Sequence, residues 1–160
     1  MASGIARGDV WTYQQRHDME LWELTAREAI RETVARYAHL VDRGRIDELV
    51  LLFAEDGTLE AGDRPPATGR DAIREFFLET GKRLAAASAR RLIRHHVANL
   101  TIDVTGPDDA TAESYFLALT DHGPDHWGRY RDHFVRRESR WLFGHRRART
   151  DGYAPGSVFG

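Results

Sequence analysis

The chain has 160 residues, of which 41% are hydrophobic and 30% charged, a profile that predicts one soluble globular domain. Its 23 Lys and Arg nearly balance its 25 Asp and Glu, which excludes the broad basic field of a general nucleic-acid binder. The absence of cysteine excludes disulfides, thiolate nucleophiles and cysteine-based metal sites. There is no apolar run of about 18 to 20 residues and no signal-peptide pattern, so we expect a cytoplasmic protein with no membrane or nucleic-acid partner.

The first half of the chain predicts three helices. Thr25 and Glu28 have the spacing of a capping box, which predicts that the first helix begins there and that Gly44 ends it. Its apolar stripe is Ile30, Val34, Tyr37 and Val41. A second, shorter helix carries the apolar residues Ile46, Leu49, Val50 and Phe53, and a short strand over 58–61 follows. A third amphipathic helix, marked by Ile73, Phe76, Phe77 and Leu84, is predicted to end near Ala87.

The second half changes to β-branched and aromatic runs separated by turn residues, which predicts strands. We place them at 91–104, 110–120, 129–137 and 140–149, with a loop over 121–128. The fold class is therefore α+β: N-terminal helices packed on a curved antiparallel sheet, forming a cone with an internal pocket. The predicted domain spans 24–150, preceded by an arm or extra helix over 1–23 and followed by a C-terminal tail over 151–160.

Two adjacent histidines occupy the first long strand, and period-two alternation lets only one of them face the helices. His95 shares its face with Val97 and Asn99, whereas His96 lies on the other face. Asp42 falls at the end of the first helix, where a buried carboxylate costs several kcal/mol unless it is paired, and a histidine N–H is a fitting partner. The alternatives are a solvated helix-end carboxylate and a histidine at a sheet edge or dimer face.

Five segments together resemble SnoaL-like proteins of the nuclear transport factor 2 fold, over Leu24 to Thr150. They are Arg36-Tyr37-Ala38 followed by Asp42-Arg43-Gly44, then Leu52-Phe53-Ala54-Glu55-Asp56-Gly57, Gly69-Arg70-Asp71-Ala72-Ile73, His95-His96-Val97-Ala98-Asn99 and Trp141-Leu142-Phe143. The resemblance implies the same cone-shaped fold. That fold hosts dehydratases, a dehydrochlorinase, isomerases, polyketide cyclases and non-catalytic dioxygenase β subunits, so it does not by itself specify the function.

The resemblance also implies roles for individual residues. The dehydratase and dehydrochlorinase branch pairs a helix-end Asp with a His on the first long strand, which implies Asp42 and His95. The bile-acid dehydratase pattern adds a helix tyrosine, matching Tyr37, and an arginine on the last strand, for which Arg147 and Arg149 both qualify. Scytalone dehydratase carries a second histidine where His122 falls, but its two tyrosines are replaced by Val41 and Ala61 here.

The chemistry assigned to these residues is elimination. His95 would act as the base, and Asp42 would fix its tautomer and stabilise the imidazolium. Tyr37 or His122 would protonate the leaving group or hold a developing enolate. Tyr37 also lies on the apolar stripe of its helix, so an ordinary core aromatic remains the alternative.

Three further histidines and an arginine-rich region are candidate binding sites. His122, His126 and His133 cluster in sequence, but Gly123 and Pro124 break any helix that would align them, so we predict no metal site and interpret them as rim or surface histidines. The arginines of the last two strands are interpreted as a solvated face or part of a dimer interface; they are Arg136, Arg137, Arg140, Arg146 and Arg147.

The sequence therefore predicts a cofactor-free lyase or dehydratase acting on a small, largely apolar molecule of polyketide, terpenoid or steroid type, and a homodimer formed through the sheet. The alternatives are a cofactor-free cyclase or isomerase of natural-product biosynthesis and a non-catalytic subunit resembling a dioxygenase β chain. The predicted substrate-binding residues are Val41, Phe53, Leu59, Phe76, Val97, Asn99, Phe116, Phe134 and Arg147.

Overall fold

The structure is a computed structural model that describes residues 19–87, 92–157 and 159. Its helices are α1 (Leu21–Asp42), α2 (Ile46–Leu49), which continues as a 3₁₀ turn (Val50–Leu52), and α3 (Arg70–Ala87). Its strands are β1 (Phe53–Ala61), β2 (Ala67–Thr68), β3 (Ile93–Gly106), β4 (Asp109–Thr120), β5 (Gly123–Arg137) and β6 (Arg140–Tyr153). Most of the predicted N-terminal arm, residues 1–18, and the predicted start of the first long strand at Arg91 lie outside the described residues.

The six strands form one curved, unclosed sheet in the order β2-β1-β6-β5-β4-β3, with the helices preceding the long strands in sequence. The predicted α+β class is confirmed. Strands β3 to β6 are the expected antiparallel meander, whereas β1 pairs with β6 in parallel, so the sheet is mixed. Between β1 and the meander the chain forms β2 and α3. The last strand of the meander, β6, then lies beside β1.

Helix α1 begins four residues earlier than the capping box predicts. The Thr25 hydroxyl donates to the Leu21 carbonyl one turn back, and Glu20 occupies the N-cap position. The predicted start at Thr25 is therefore wrong. The predicted end is confirmed, since Gly44 follows the helix with a φ of 65°, in the left-handed region that suits glycine.

The second helix is shorter than predicted because Phe53 begins β1 rather than extending α2. The apolar stripes of α1 and α3 pack against the inner face of the sheet. Two polar contacts fix these layers: the Thr33 hydroxyl donates to the Trp141 carbonyl at 3.0 Å, and the Arg70 guanidinium donates twice to the Phe53 carbonyl, at 3.0 and 2.8 Å. Within the described residues, no helix is both long and apolar enough to cross a bilayer.

Strand β5 begins at Gly123, so the predicted loop over 121–128 is wrong and only Asp121 and His122 form the turn. Ala118 pairs with His126 and Leu119 with Pro124, which leaves Asp125 as an extra residue in β5. This bulge lets the strand continue through a segment whose Gly and Pro predict a loop. At the other end of the hairpin, β6 continues to Tyr153, so the first residues of the predicted tail are strand.

Two more bulges reverse the faces that regular alternation predicts. In β3, Ala98 pairs with Tyr115 and Thr101 with Glu113, around Asn99, whose φ is 55°. In β6, Gly144 is the extra residue, because Phe143 pairs with Phe134 and His145 with His133. One inserted residue moves every later side chain to the opposite face.

Candidate active site

A cavity of about 940 Å³ lies between the helices and the inner face of the sheet. This volume falls within the range of small-molecule sites. Most of its exposed wall is apolar, but the lining also includes the charged residues Arg43, Asp63, Arg64, Lys82 and Arg83. Helix α1 contributes Tyr37, Val41 and Asp42, α3 contributes Phe76 and Phe77, and the strands contribute Leu59, Ile93, His95, Phe116, His126 and Tyr130.

Asp42 and His95 form the polar pair that the sequence predicts. Asp42 is the last residue of α1, and its Oδ1 lies 2.6 Å from Nδ1 of His95 on β3. The backbone N–H of His95 also donates to both carboxylate oxygens, at 3.2 and 3.1 Å. Because an ionised carboxylate only accepts, Nδ1 carries the proton and Nε2 remains for a ligand. The side chains are 8% and 11% exposed, whereas the neighbouring His96 is exposed on the other face.

Tyr37 is both a core aromatic and part of the cavity wall. Its ring makes edge contacts with Phe53, Phe77, Tyr130 and Phe143. Burial raises the pKa of Tyr37 to about 12 despite the nearby guanidinium of Arg146. The phenol therefore stays protonated at neutral pH and can donate a hydrogen bond.

Arg146 is the buried arginine of β6. Its guanidinium donates to both oxygens of Asp132, each at 2.8 Å, and both side chains are completely buried. The guanidinium carbon also lies 4.0 Å from the ring centre of Tyr37 and 4.1 Å from that of Tyr130. Burial alone would lower the pKa of Arg146, but Asp132 more than offsets this and raises it. The Asp132–Arg146 ion pair thus packs against the rings of two tyrosines of the cavity wall, Tyr37 and Tyr130.

His126 forms a second Asp–His pair in the same cavity. Its Nδ1 lies 2.7 Å from Oδ2 of Asp125, and its ring centre is 6.2 Å from that of His95. Burial lowers the pKa of His126, and His95 lowers it further, while the hydrogen bond to Asp125 opposes the shift. The interpretation of His126 as a rim or surface histidine is wrong, because it assumes a loop where β5 carries this side chain inward.

Four predicted substrate-binding residues line the cavity as expected: Val41, Leu59, Phe76 and Phe116. Phe53 and Phe134 do not, because both are completely buried in the core and have no surface open to a ligand. Val97 is partly buried and packs against that core. Side-chain periodicity predicts the face that an aromatic or aliphatic residue occupies, but the depth of its side chain within that face depends on packing.

Three polar predictions are corrected by the structure. The side chain of His122 is 82% exposed in the β4–β5 turn, so it does not reach the cavity. Asn99 is exposed because it lies in the β3 bulge. Arg147 is exposed and pairs with Glu60 on the outer face, because the bulge at Gly144 turns the preceding arginine inward instead. Arg149, the alternative, pairs with Asp151 on that same outer face.

The three histidines that cluster in sequence occupy different environments. His126 lines the cavity, His122 is exposed, and His133 lies 2.8 Å from Asp109 on a partly exposed surface. Among residues 19–87, 92–157 and 159, no group of three or more histidine or carboxylate side chains has a metal-binding arrangement.

Burial of His126 has a measurable consequence for stability. Its folded-state pKa lies below the ordinary value of 6.5, so the unfolded chain takes up a proton that the folded chain resists. The contribution of neutral His126 to the free energy of unfolding is present above pH 6.5, the ordinary pKa, and is lost as pH falls through the lower folded-state pKa. We expect H126Q to lose less stability than the original chain between about pH 7 and pH 5, measured by urea denaturation. H122Q, in the exposed turn, should follow the original chain, and equal acid losses in all three proteins would contradict the expectation.

Comparisons with known proteins agree with this geometry. A family model described as a SnoaL-like domain matches residues 22–147, and no curated protein matches the chain. A candidate scytalone dehydratase from Novosphingobium aromaticivorans is 27% identical, with 83% of this chain and 89% of that one covered and a TM-score of 0.72. An NTF2-like protein with a cystatin-like fold from the same organism is 29% identical, covering 86% and 95%, with a TM-score of 0.69. LinA is 18% identical, covers 84% and 92%, and shares the fold with a TM-score of 0.75.

Proposed function

This chain belongs to the SnoaL-like domain family, and we propose that it is a cofactor-free lyase that removes water from a small, largely apolar molecule. The observation that supports the proposal is the Asp42–His95 pair, whose contact of 2.6 Å leaves Nε2 of a cavity-lining imidazole for a substrate. The likeness to a candidate scytalone dehydratase, at 27% identity, favours dehydration over other chemistry of this fold.

The residues of the cavity supply the parts that such an elimination needs. Nε2 of His95 would take a proton from the carbon next to a carbonyl, and Asp42 would stabilise the resulting imidazolium. The phenols of Tyr37 and Tyr130, whose pKa values are raised by burial, would donate hydrogen bonds to the enolate oxygen. The electron pair of the enolate then forms the double bond as the C–O bond breaks, and the departing oxygen takes up one proton to leave as water.

The shape of the site supports the proposed substrate class. A cavity of about 940 Å³ walled by Phe76, Phe77 and Phe116 fits a molecule of polyketide, terpenoid or steroid type, since ring systems of that size bury mostly apolar surface. An isomerase or cyclase would use the same base and retain the mass of the substrate. We also propose that the chain forms a homodimer through its sheet.

The test is a screen for loss of water. The purified chain is incubated with β-hydroxy ketones built on polyketide, terpenoid and steroid skeletons, and the products are weighed by mass spectrometry. We expect at least one of them to lose one water. Turnover with unchanged mass would replace the lyase with an isomerase or cyclase. No turnover, together with co-purification with a larger metal-containing chain, would favour the non-catalytic subunit.

A further inference from the structure

The two Asp–His pairs of the cavity are arranged in one row of the sheet. His95 on β3 pairs with Ala118 on β4, and Ala118 pairs with His126 on β5, so both histidines project to the same side with one alanine between them. Ala118 is completely buried, and the two ring centres lie 6.2 Å apart with the rings edge to face, at an interplanar angle of 79°. A substrate that reaches His95 therefore also reaches the neighbourhood of His126.

His126 has its own supporting contacts. Asp125 Oδ2 contacts Nδ1 of His126 and also accepts a hydrogen bond of 2.8 Å from the Ser157 hydroxyl. The backbone N–H of Ala154 donates to the Asp125 carbonyl at 2.7 Å, and the Phe159 ring lies 4.9 Å from the histidine ring. The C-terminal residues thus hold Asp125 in place. Since Nδ1 is engaged, Nε2 is the nitrogen of His126 left for a ligand.

The proposed elimination leaves one proton to be assigned. Hydroxide is a poor leaving group, so the departing oxygen needs a proton donor in the cavity. Burial raises the pKa of Tyr37 to about 12 and that of Tyr130 further, so both phenols hold their protons firmly. The imidazolium form of His126 is a much stronger acid than either phenol, because burial lowers its pKa. The hydrogen bond to the Asp125 carboxylate opposes this shift and so favours the imidazolium form.

We propose that His126 is a second catalytic residue, the proton donor to the leaving oxygen, and that Asp125 is its positioning residue. The proposal rests on the proposed function. Because burial lowers the pKa of His126, the protonated form of this residue is the minority at neutral pH. In molecules whose His126 is protonated, the proton on Nε2 passes to the oxygen as the C–O bond breaks, and water forms. His95 then holds the proton taken from carbon, and His126 is neutral. Proton exchange with solvent returns both rings to their starting forms.

A pair of substrates that differ only in the leaving group tests this assignment. The first is a β-hydroxy ketone that the original chain dehydrates, and the second is its β-chloro analogue, whose chloride leaves without a proton. We expect H126Q to slow loss of water by about 10²- to 10⁴-fold and to slow loss of chloride only a few-fold. H95Q should slow both reactions by similar factors, and H122Q, altered in the exposed turn, should slow neither.

Three outcomes would overturn the assignment. Equal losses on both substrates in H126Q would make the histidine a binding or structural residue. No loss on either would assign the proton to the imidazolium of His95. If the original chain dehydrates no β-hydroxy ketone of the screen, the proposed function itself fails, and the assignment fails with it. H126N serves as a second variant if circular dichroism shows that H126Q is misfolded.

Asp125 is tested by a readout that a structural role would not change. We expect D125N to slow loss of water at least tenfold more than loss of chloride. The His126 ring should also titrate at lower pH by nitrogen NMR, because its imidazolium loses the adjacent carboxylate. Equal slowing of both reactions, or an unchanged titration, would limit Asp125 to holding the C-terminal residues.

Discussion

Replacing His95 with alanine is expected to reduce loss of water from a substrate by about 10²- to 10⁴-fold while the fold is retained. The ring is 11% exposed at the cavity wall, and its removal leaves the core of the sheet intact. Asp42→Asn is expected to have an effect of the same order. Its amide can donate as well as accept, so it no longer fixes the proton on Nδ1 or stabilises the imidazolium.

The neighbouring histidine offers a matched control. His96 is exposed on the opposite face of β3, so H96A should retain activity. Steady-state turnover of a compound identified in the water-loss screen gives the activity, and circular dichroism melting confirms that each variant folds. Unaltered turnover in either H95A or D42N would rule out the Asp42–His95 pair as the reacting centre.

The family resemblance implies this pair, and the implication holds because both residues lie where local periodicity is regular. Asp42 ends a helix whose apolar stripe is continuous from Ile30 to Val41, and His95 lies in β3 ahead of the bulge at Asn99. In such segments the side-chain period alone determines which face a residue occupies. The same regularity explains why the α+β class was predictable and why only one of the two adjacent histidines faces the cavity. Alternation alone leaves open which of them it is, and the family resemblance implies His95.

The remaining site residues depend on bulges, which periodicity does not reveal. Asp125 and His126 are adjacent, and adjacent residues of a regular strand point to opposite faces. The bulge at Asp125 lets the two side chains pair while His126 lines the cavity. Likewise, Gly144 turns Arg146 inward and Arg147 outward. A bulge is set by the pairing of two strands, so the sequence of either strand alone does not place it. In the sequence, only the adjacency of Asp125 and His126 indicates that these two residues form a pair.

The buried ion pair between Asp132 and Arg146 should have the largest effect on stability. Asp132→Ala leaves an uncompensated guanidinium at a completely buried position, and we expect it to lower the free energy of unfolding by about 3 to 5 kcal/mol. Urea denaturation followed by circular dichroism measures the change. E113A removes an exposed partner of Arg131 on the neighbouring strand and should have only a small effect, since solvent screens that pair. A small change in Asp132→Ala would show that the charge is solvated or neutralised.

Removing both charges together separates stability from positioning. A double variant with Asp132→Leu and Arg146→Met carries no buried charge, so we expect it to recover much of the stability that Asp132→Ala loses. It also removes the guanidinium that lies 4.0 and 4.1 Å from the rings of Tyr37 and Tyr130. If the ion pair positions those phenols for the enolate, the double variant should remain folded but turn over more slowly. Full activity in the folded double variant would instead make the ion pair a purely structural element of the core.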